Sequence, residues 1–185
     1  TYLLRNYKQE KWVNADTECE SGCGILPFEY MGHVYTHALQ WAIGLEIFLL
    51  SKDPWRIVLS TDHPNGGSFA NYPLIIKLLM DRTFRKECMG VLNEKAMNAS
   101  LLKDLDREYT LEEICIISRA GPAKCLGLKE KGHLGVGADG DVTIYDMLDD
   151  KEQMFSAPRY VMKAGQLLIA DHEFVSDYTD KKILR

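Results

Sequence analysis

Residues 56–67 read Arg-Ile-Val-Leu-Ser-Thr-Asp-His-Pro-Asn-Gly-Gly, and this stretch decides the fold class. Its apolar start is too short for a helix and is typical of a strand buried on both faces, as in parallel sheets. Asp62 stands where that strand would end, and the Pro-Asn-Gly-Gly run after it predicts a loop. Because ligands bind at the carboxyl ends of strands in barrels and open α/β sheets, this carboxylate indicates a candidate site. An Asp at such a position also serves as a turn former or helix cap, so that alternative stays open.

The composition is that of an ordinary globular protein. Hydrophobic residues make up 46% of the 185 residues and charged residues 26%. The 22 Lys and Arg against 27 Asp and Glu give a net charge of −5, which lacks the basic footprint of nucleic-acid-binding proteins. The longest apolar stretch is too short and too broken to span a membrane. Five scattered cysteines without a recognisable signal peptide favour reduced thiols, so we expect a cytoplasmic protein with neither nucleic acid nor membrane as partner.

The first two thirds of the chain predict an α/β part. Residues 1–27 are mostly polar and predict irregular structure. Residues 31–50 predict a helix that is apolar on nearly all sides, which is typical of a helix packed inside a large protein or against another subunit. Thr110 and Glu113 form a capping box that predicts the start of a later helix. The dipeptide Gly121-Pro122 is expected to end that helix.

From residue 129 onward the periodicity changes to that of β-strands. The glycine-rich run 131–141 leads into a predicted strand rather than a helix, so phosphate binding is not indicated. Residues 160–163 and 166–169, joined by Ala164-Gly165, predict a hairpin with a two-residue turn. We therefore predict an α/β plus β fold, with one unit over residues 1–128 and a second over 129–185.

Two other residue pairs have the spacing of metal ligands. Cys19 and Cys23 could begin a metal site, but no second pair follows, so free thiols in a loop are favoured. His33 and His37 lie four residues apart, the spacing of two ligands on one helix face. Because no third ligand is apparent, a surface or core histidine pair is the favoured interpretation.

Two motifs together are similar to the amidohydrolase superfamily. Ser60-Thr-Asp-His-Pro64 resembles the end of that superfamily's last barrel strand. The strings at 120–128, 131–135 and 137–145 resemble its closing helix and return into a β-sandwich. The resemblance implies the C-terminal part of a (β/α)8 barrel, with its last strand at 56–62, followed by part of a β-sandwich domain.

More narrowly, residues 38–46, 52–55 and 61–67 resemble the family of hydrolase subunits found in formylmethanofuran dehydrogenases and the related formyltransferase/hydrolase complexes. This resemblance implies a hydrolase subunit that interconverts formylmethanofuran with formate and methanofuran at a binuclear zinc site. It also implies partner subunits that carry molybdenum or tungsten and iron–sulfur centres. By the same resemblance Asp62 would be a zinc ligand and the general base.

His63 and Asn65 follow Asp62 on the loop, and we expect both to face the formyl amide substrate. The alternative is that they only hydrogen-bond the loop to itself, because Asn in glycine-rich turns is common for backbone reasons. Replacing either side chain distinguishes the two interpretations.

The family's His-x-His ligand pair has no counterpart, because no His-x-His occurs in this chain. The remaining zinc ligands are therefore expected outside these residues, and this chain alone is expected to be inactive. Two alternatives stay open. One is another metal-dependent amidohydrolase of the dihydroorotase or hydantoinase type, which would also use Asp62. The other is a catalytically silent scaffold subunit.

Overall fold

This computed structural model describes residues 3–6, 11–14, 30–61, 63 and 67–176 of the chain. Short 3-10 turns at Pro54–Arg56, Phe69–Asn71 and Leu102–Asp104 connect the longer elements. The helices and strands in chain order are β1 (Leu3–Asn6), β2 (Lys11–Asn14), α1 (Tyr35–Leu50), α2 (Tyr72–Met80), α3 (Arg82–Gly90), α4 (Glu94–Ala99), α5 (Leu111–Cys115), a π-helical segment (Ile116–Ala120), α6 (Gly121–Cys125), β3 (Val142–Ile144), α7 (Lys151–Ser156), β4 (Tyr160–Lys163), β5 (Gln166–Ala170) and β6 (Glu173–Phe174).

Helix α1 forms one wall of the hydrophobic core and confirms the predicted helix, although it begins at Tyr35 rather than residue 31. It packs against α2 and α4. Its outward face is also apolar, with Ile43, Ile47 and Leu50 between 43% and 57% exposed. Among the helices that the structure describes, none combines the length and apolar character of a membrane span. The side chains that α1 buries recur at helical spacing and are Ala38, Ala42, Leu45 and Leu49.

The expectation of irregular structure over residues 1–27 is wrong for two short segments. Strands β1 and β2 pair antiparallel, with Leu3 opposite Asn14 and Asn6 opposite Lys11. Each strand has only four residues, too few for a pattern of alternating apolar residues to predict it.

The helical run from residue 111 begins as predicted. The Thr110 hydroxyl accepts the Glu113 N–H at 3.2 Å, and the Glu113 carboxylate accepts the Thr110 N–H at 2.9 Å. Both bonds of the capping box are present, which confirms the predicted start.

The expectation that Gly121-Pro122 ends this run is wrong. The chain passes from α5 through the π-helical segment into α6, and α6 begins at Gly121 itself. A π turn is wider than an α turn, so Pro122 comes to lie at the start of a new α-helical segment. At that position a missing N–H and a fixed φ are tolerated.

The structure differs from the prediction of a buried strand at residues 56–62, because Arg56 belongs to a 3-10 turn and residues 57–61 do not form a strand. A parallel strand buried on both faces needs a hydrogen-bonded neighbour on each side. Among the described residues this segment is instead held by the Leu59 N–H, which donates to the Ile117 carbonyl at 2.9 Å. Leu59 is 5% exposed, whereas Val58 is 39% exposed, so one face of the segment is covered and the other is open.

The C-terminal β part is a four-stranded antiparallel sheet in the order β3-β4-β5-β6. The predicted hairpin is confirmed, and both turn residues have positive φ, 49° at Ala164 and 78° at Gly165, as a type I′ turn requires. Helix α7, which lies between β3 and β4, packs against α2. The Lys77 ammonium of α2 donates to the Asp150 carboxylate at 2.8 Å and strengthens this contact.

Asp141 fastens the glycine-rich run to this hairpin. Its carboxylate accepts the Ala164 N–H at 2.8 Å and pairs with the Lys131 ammonium at 2.8 Å and with Lys163. Partial burial opposes the charge, but the Ala164 N–H and the two ammonium groups outweigh it. Together they hold the pKa of Asp141 well below its usual range.

We expect Asp141→Asn to destabilise the protein at pH 6 and to have a clearly smaller effect near pH 2.5. A carboxyl whose pKa is lowered on folding stabilises the folded state above its unfolded pKa, which is about 3.9, and that contribution is lost as pH falls toward the folded pKa. Urea unfolding of both proteins at the two pH values measures the effect. Asp149→Asn, at an exposed aspartate of the same part, is the control. An equal difference at both pH values would contradict the assignment.

Candidate functional site

The candidate site is the loop that follows residues 57–61. Asp62 and Asn65, two of the three predicted site residues, lie outside the described residues. The loop's described residues are Thr61, His63 and Gly67. A Cβ on Gly67 would lie 3.8 Å from the Thr61 carbonyl oxygen, so the two ends of the loop come close together.

His63 is exposed and lies against the 3-10 turn that follows the loop. Its Nδ1 accepts the Phe69 N–H at 3.4 Å, and the two rings meet edge to face with centroids 4.8 Å apart. A neutral imidazole whose Nδ1 is an acceptor carries its proton on Nε2. His63 therefore has a structural role in the loop and also has an N–H donor on its other ring nitrogen.

The segment that leads into the site is fixed at its start by Asp53. The Asp53 carboxylate accepts the Trp55 N–H at 3.1 Å and caps the 3-10 turn. The Lys124 ammonium of α6 lies 4.8 Å from the centroid of the Trp55 ring. Two of the sequence strings that carry the family resemblance, 52–55 and 120–128, therefore contact each other.

The other histidines make local contacts. His33 precedes α1, so the expectation that it shares a helix face with His37 is wrong. His37 accepts the Met31 N–H at 3.2 Å. His133 uses both ring nitrogens within its own loop, and His172 lies 3.1 Å from Asp146.

No group of three or more His, Cys, Asp or Glu side chains that could hold a metal ion occurs in the part of the chain that the structure describes. Cys19 and Cys23 lie outside that part. The described residues therefore do not fit a complete zinc centre.

Sequence reasoning missed two groups that shape this region. One is Phe69, whose N–H and ring hold His63. The other is the Ile117 carbonyl, which holds Leu59. The sequence does indicate a free carbonyl near Ile117. Pro122 stands inside a helical pattern and has no N–H, so one carbonyl of the preceding turn lacks its helical donor.

Comparison with known proteins shows the family to which the chain is related. Residues 3–169 match the family described as the amidohydrolase family. The chain is 44% identical over 176 residues to the A subunit of the formyltransferase/hydrolase complex Fhc of Methylorubrum extorquens, a match that covers 95% of this chain and 32% of that protein. It is 43% identical over 175 residues to protein FwdA of Methanocaldococcus jannaschii, covering 90% and 31%.

One solved structure of a related complex is similar to this chain in both fold and sequence. The fold is similar to a chain in the crystal structure of the formyltransferase/hydrolase complex FhcABCD from Methylorubrum extorquens in complex with methylofuran, with a TM-score of 0.77 and 46% identity. The match covers 80% of this chain and 28% of that one. The chain thus spans about a third of the length of the curated relatives it matches and corresponds to a C-terminal part of them.

Proposed function

The chain belongs to the amidohydrolase family, and on this premise we propose that it is part of a hydrolase subunit that interconverts formylmethanofuran with formate and methanofuran. The observation that carries the proposal is the 44% identity, over 95% of the chain, to the A subunit of a formyltransferase/hydrolase complex. The matched region includes residues 38–46, 52–55 and 61–67, whose sequence already resembled these hydrolase subunits. We propose residues 1–128 as the C-terminal part of the barrel and 129–185 as the sandwich segment.

In this proposal Asp62 is a zinc ligand and the general base. Bound zinc would act as a Lewis acid on the formyl group and would lower the pKa of water toward neutrality. The Asp62 carboxylate would accept the proton of the attacking water and deliver it to the leaving amine nitrogen. A carboxylate oxygen is an ordinary zinc ligand, so Asp62 suits one position of a binuclear site. The remaining ligands are proposed to lie outside this chain.

We further propose that the intact protein is cytoplasmic and assembles with the other subunits of a formylmethanofuran dehydrogenase, including those with molybdenum or tungsten and iron–sulfur centres. The support is that the solved relative is a chain of a complex named FhcABCD. The outward apolar face of α1 is also the kind of surface that a larger assembly covers.

The test is formate release from formylmethanofuran by the purified full-length protein, with zinc content measured in parallel. Hydrolysis of a dihydroorotate or hydantoin ring in place of the formyl amide would favour the other type of amidohydrolase. A zinc-free, inactive protein that still binds its partner subunits would favour the scaffold. This chain alone is expected to bind zinc weakly and to release no formate, because a stable binuclear site needs several ligands at fixed geometry.

His63 and Asn65 are proposed to contact the substrate, and two variants of His63 separate this role from loop stabilisation. Asparagine can present an acceptor near the position of Nδ1 and so keep the bond from the Phe69 N–H, whereas the Nε2 donor is lost. We expect His63→Asn to keep its zinc and its thermal stability while kcat/KM falls by about 5- to 150-fold, the equivalent of about 1–3 kcal/mol. Asn65→Ala should show a loss of similar size.

Glutamine makes the complementary change, because its amide N–H lies near the position of Nε2 and the acceptor for Phe69 is lost. His63→Gln should therefore retain more activity than His63→Asn at a lower melting temperature. The opposite order, with His63→Asn close to wild type, would assign His63 to the loop alone.

A further inference from the structure

The helical run from Leu111 to Cys125 contains a π-helical turn where it contacts residues 57–59, the segment that leads into the candidate site. π turns are rare, occur mostly as single turns inside α-helices, and are frequent at functional sites. This one spans Ile116–Ala120 and is followed directly by Gly121 and Pro122.

In a regular α-helix the Gly121 N–H would donate to the Ile117 carbonyl. Here the Gly121 N–H donates to Ile116 instead. The next residue along, Pro122, has no N–H and cannot serve Ile117 either. The Ile117 carbonyl is thereby released from the helix, and the acceptor is used by the Leu59 N–H at 2.9 Å.

This bond lies in the core. Leu59 is 5% exposed and Ile117 is fully buried, so water does not compete for either group. A hydrogen bond in such a low-dielectric setting is electrostatically stronger than one in water, and a buried N–H without a partner is costly. The bond therefore holds residues 57–61, which lead into the site loop, against the helical run.

Gly121 leaves room for the π turn itself. A Cβ at this position would lie 2.8 Å from the Ile116 carbonyl oxygen, inside normal contact distance, and 3.7 Å from the Ile57 carbonyl oxygen. Gly121 therefore leaves room for the π turn, and Pro122 lacks the N–H that would otherwise donate to the Ile117 carbonyl.

We propose that Gly121 and Pro122 are positioning residues, which keep the Ile117 carbonyl available so that it fixes residues 57–61 and, through them, the start of the loop that carries Asp62. The role in catalysis rests on the proposed function, whereas the hydrogen-bond exchange does not. Neither residue is proposed to touch substrate or metal.

The first test is Pro122→Ala in the full-length protein. Alanine adds an N–H at the right place to continue the π ladder to Ile117, where it competes with Leu59. Hydrogen exchange of the Leu59 amide, resolved by fragmentation mass spectrometry, is expected to become about fivefold faster, the equivalent of about 1 kcal/mol of hydrogen bonding. Pro73→Ala is the matched control, because Pro73 also stands in the first turn of a helix, α2. Unchanged exchange of the Leu59 amide in Pro122→Ala would overturn the inference.

The second test is the kinetics of the same variant well below its melting temperature. A displaced base lowers kcat without weakening substrate binding, so kcat should fall about tenfold or more while KM stays within about twofold and zinc content is unchanged. Gly121→Ala is expected to give the same pattern with a larger loss of stability. Faster Leu59 exchange with wild-type kcat would overturn the positioning role. If the wild-type protein itself releases no formate, the proposed function fails, and the exchange measurement still decides whether Pro122 frees Ile117.

Discussion

Asp62→Asn in the full-length protein is expected to reduce formylmethanofuran hydrolysis by about 100- to 10,000-fold, the usual contribution of a general acid–base group. The amide keeps the size of the carboxylate and can still bind a metal weakly through its oxygen. It cannot accept the proton of the attacking water, so the chemical step loses its base. Formate release under substrate saturation measures this loss, and melting temperature checks that the fold is intact.

The matched control is Asp53→Asn, which makes the same chemical change in the turn before the site segment. Asparagine caps a turn about as well as aspartate, so the bond from the Trp55 N–H is kept and activity should remain near that of wild type. Turnover by Asp62→Asn within a few-fold of wild type would remove Asp62 from the catalytic role, and the proposed mechanism with it.

The elements that the sequence predicted correctly depend on local interactions. The capping box of Thr110 and Glu113 and the turn at Ala164-Gly165 are each complete within a few residues, so their patterns are sufficient. The helix over α1 is long and apolar, which also makes it easy to predict.

The elements that the sequence missed depend on distant partners. Residues 57–60 have the composition of a buried strand, yet their structure depends on which neighbours are present to pair with them. Gly-Pro usually ends a helix, but here Pro122 follows a π turn and stands in the first turn of α6, where its missing N–H is tolerated. The role of Asp62 came from family resemblance, because position alone did not separate a general base from a turn former.

Arg85→Met is expected to destabilise the protein by about 2–3 kcal/mol, since a buried carbonyl left without a donor costs about 1–3 kcal/mol and a half-buried one costs less. Arg85 is 1% exposed although it lies in α3, a polar helix that the sequence did not predict. Its guanidinium donates to the carbonyls of Leu78 at 2.8 Å, Leu105 at 3.2 Å and Arg107 at 2.9 Å.

These three acceptors explain why a cation is stable in the core. Burial lowers the pKa of Arg85, but the side chain stays charged because its ordinary pKa is so high. The planar guanidinium reaches carbonyls on two separate segments at once, the end of α2 and the connector before α5. Arg85 therefore joins α3 to both, and methionine would fill the same space while leaving all three carbonyls without a donor.

Arg82→Met is the matched control, because Arg82 lies one turn away on the same helix and its side chain is 44% exposed in an ion pair with Asp106. An exposed pair of this kind contributes less than about 1 kcal/mol, so the two variants should differ clearly in urea unfolding. The loss in Arg85→Met should appear as a lower urea midpoint with an unchanged slope. If both arginines cost the same, the three carbonyl bonds would not be what holds α3 in place, and the packing of Phe84 and Met89 against the core would have to account for it.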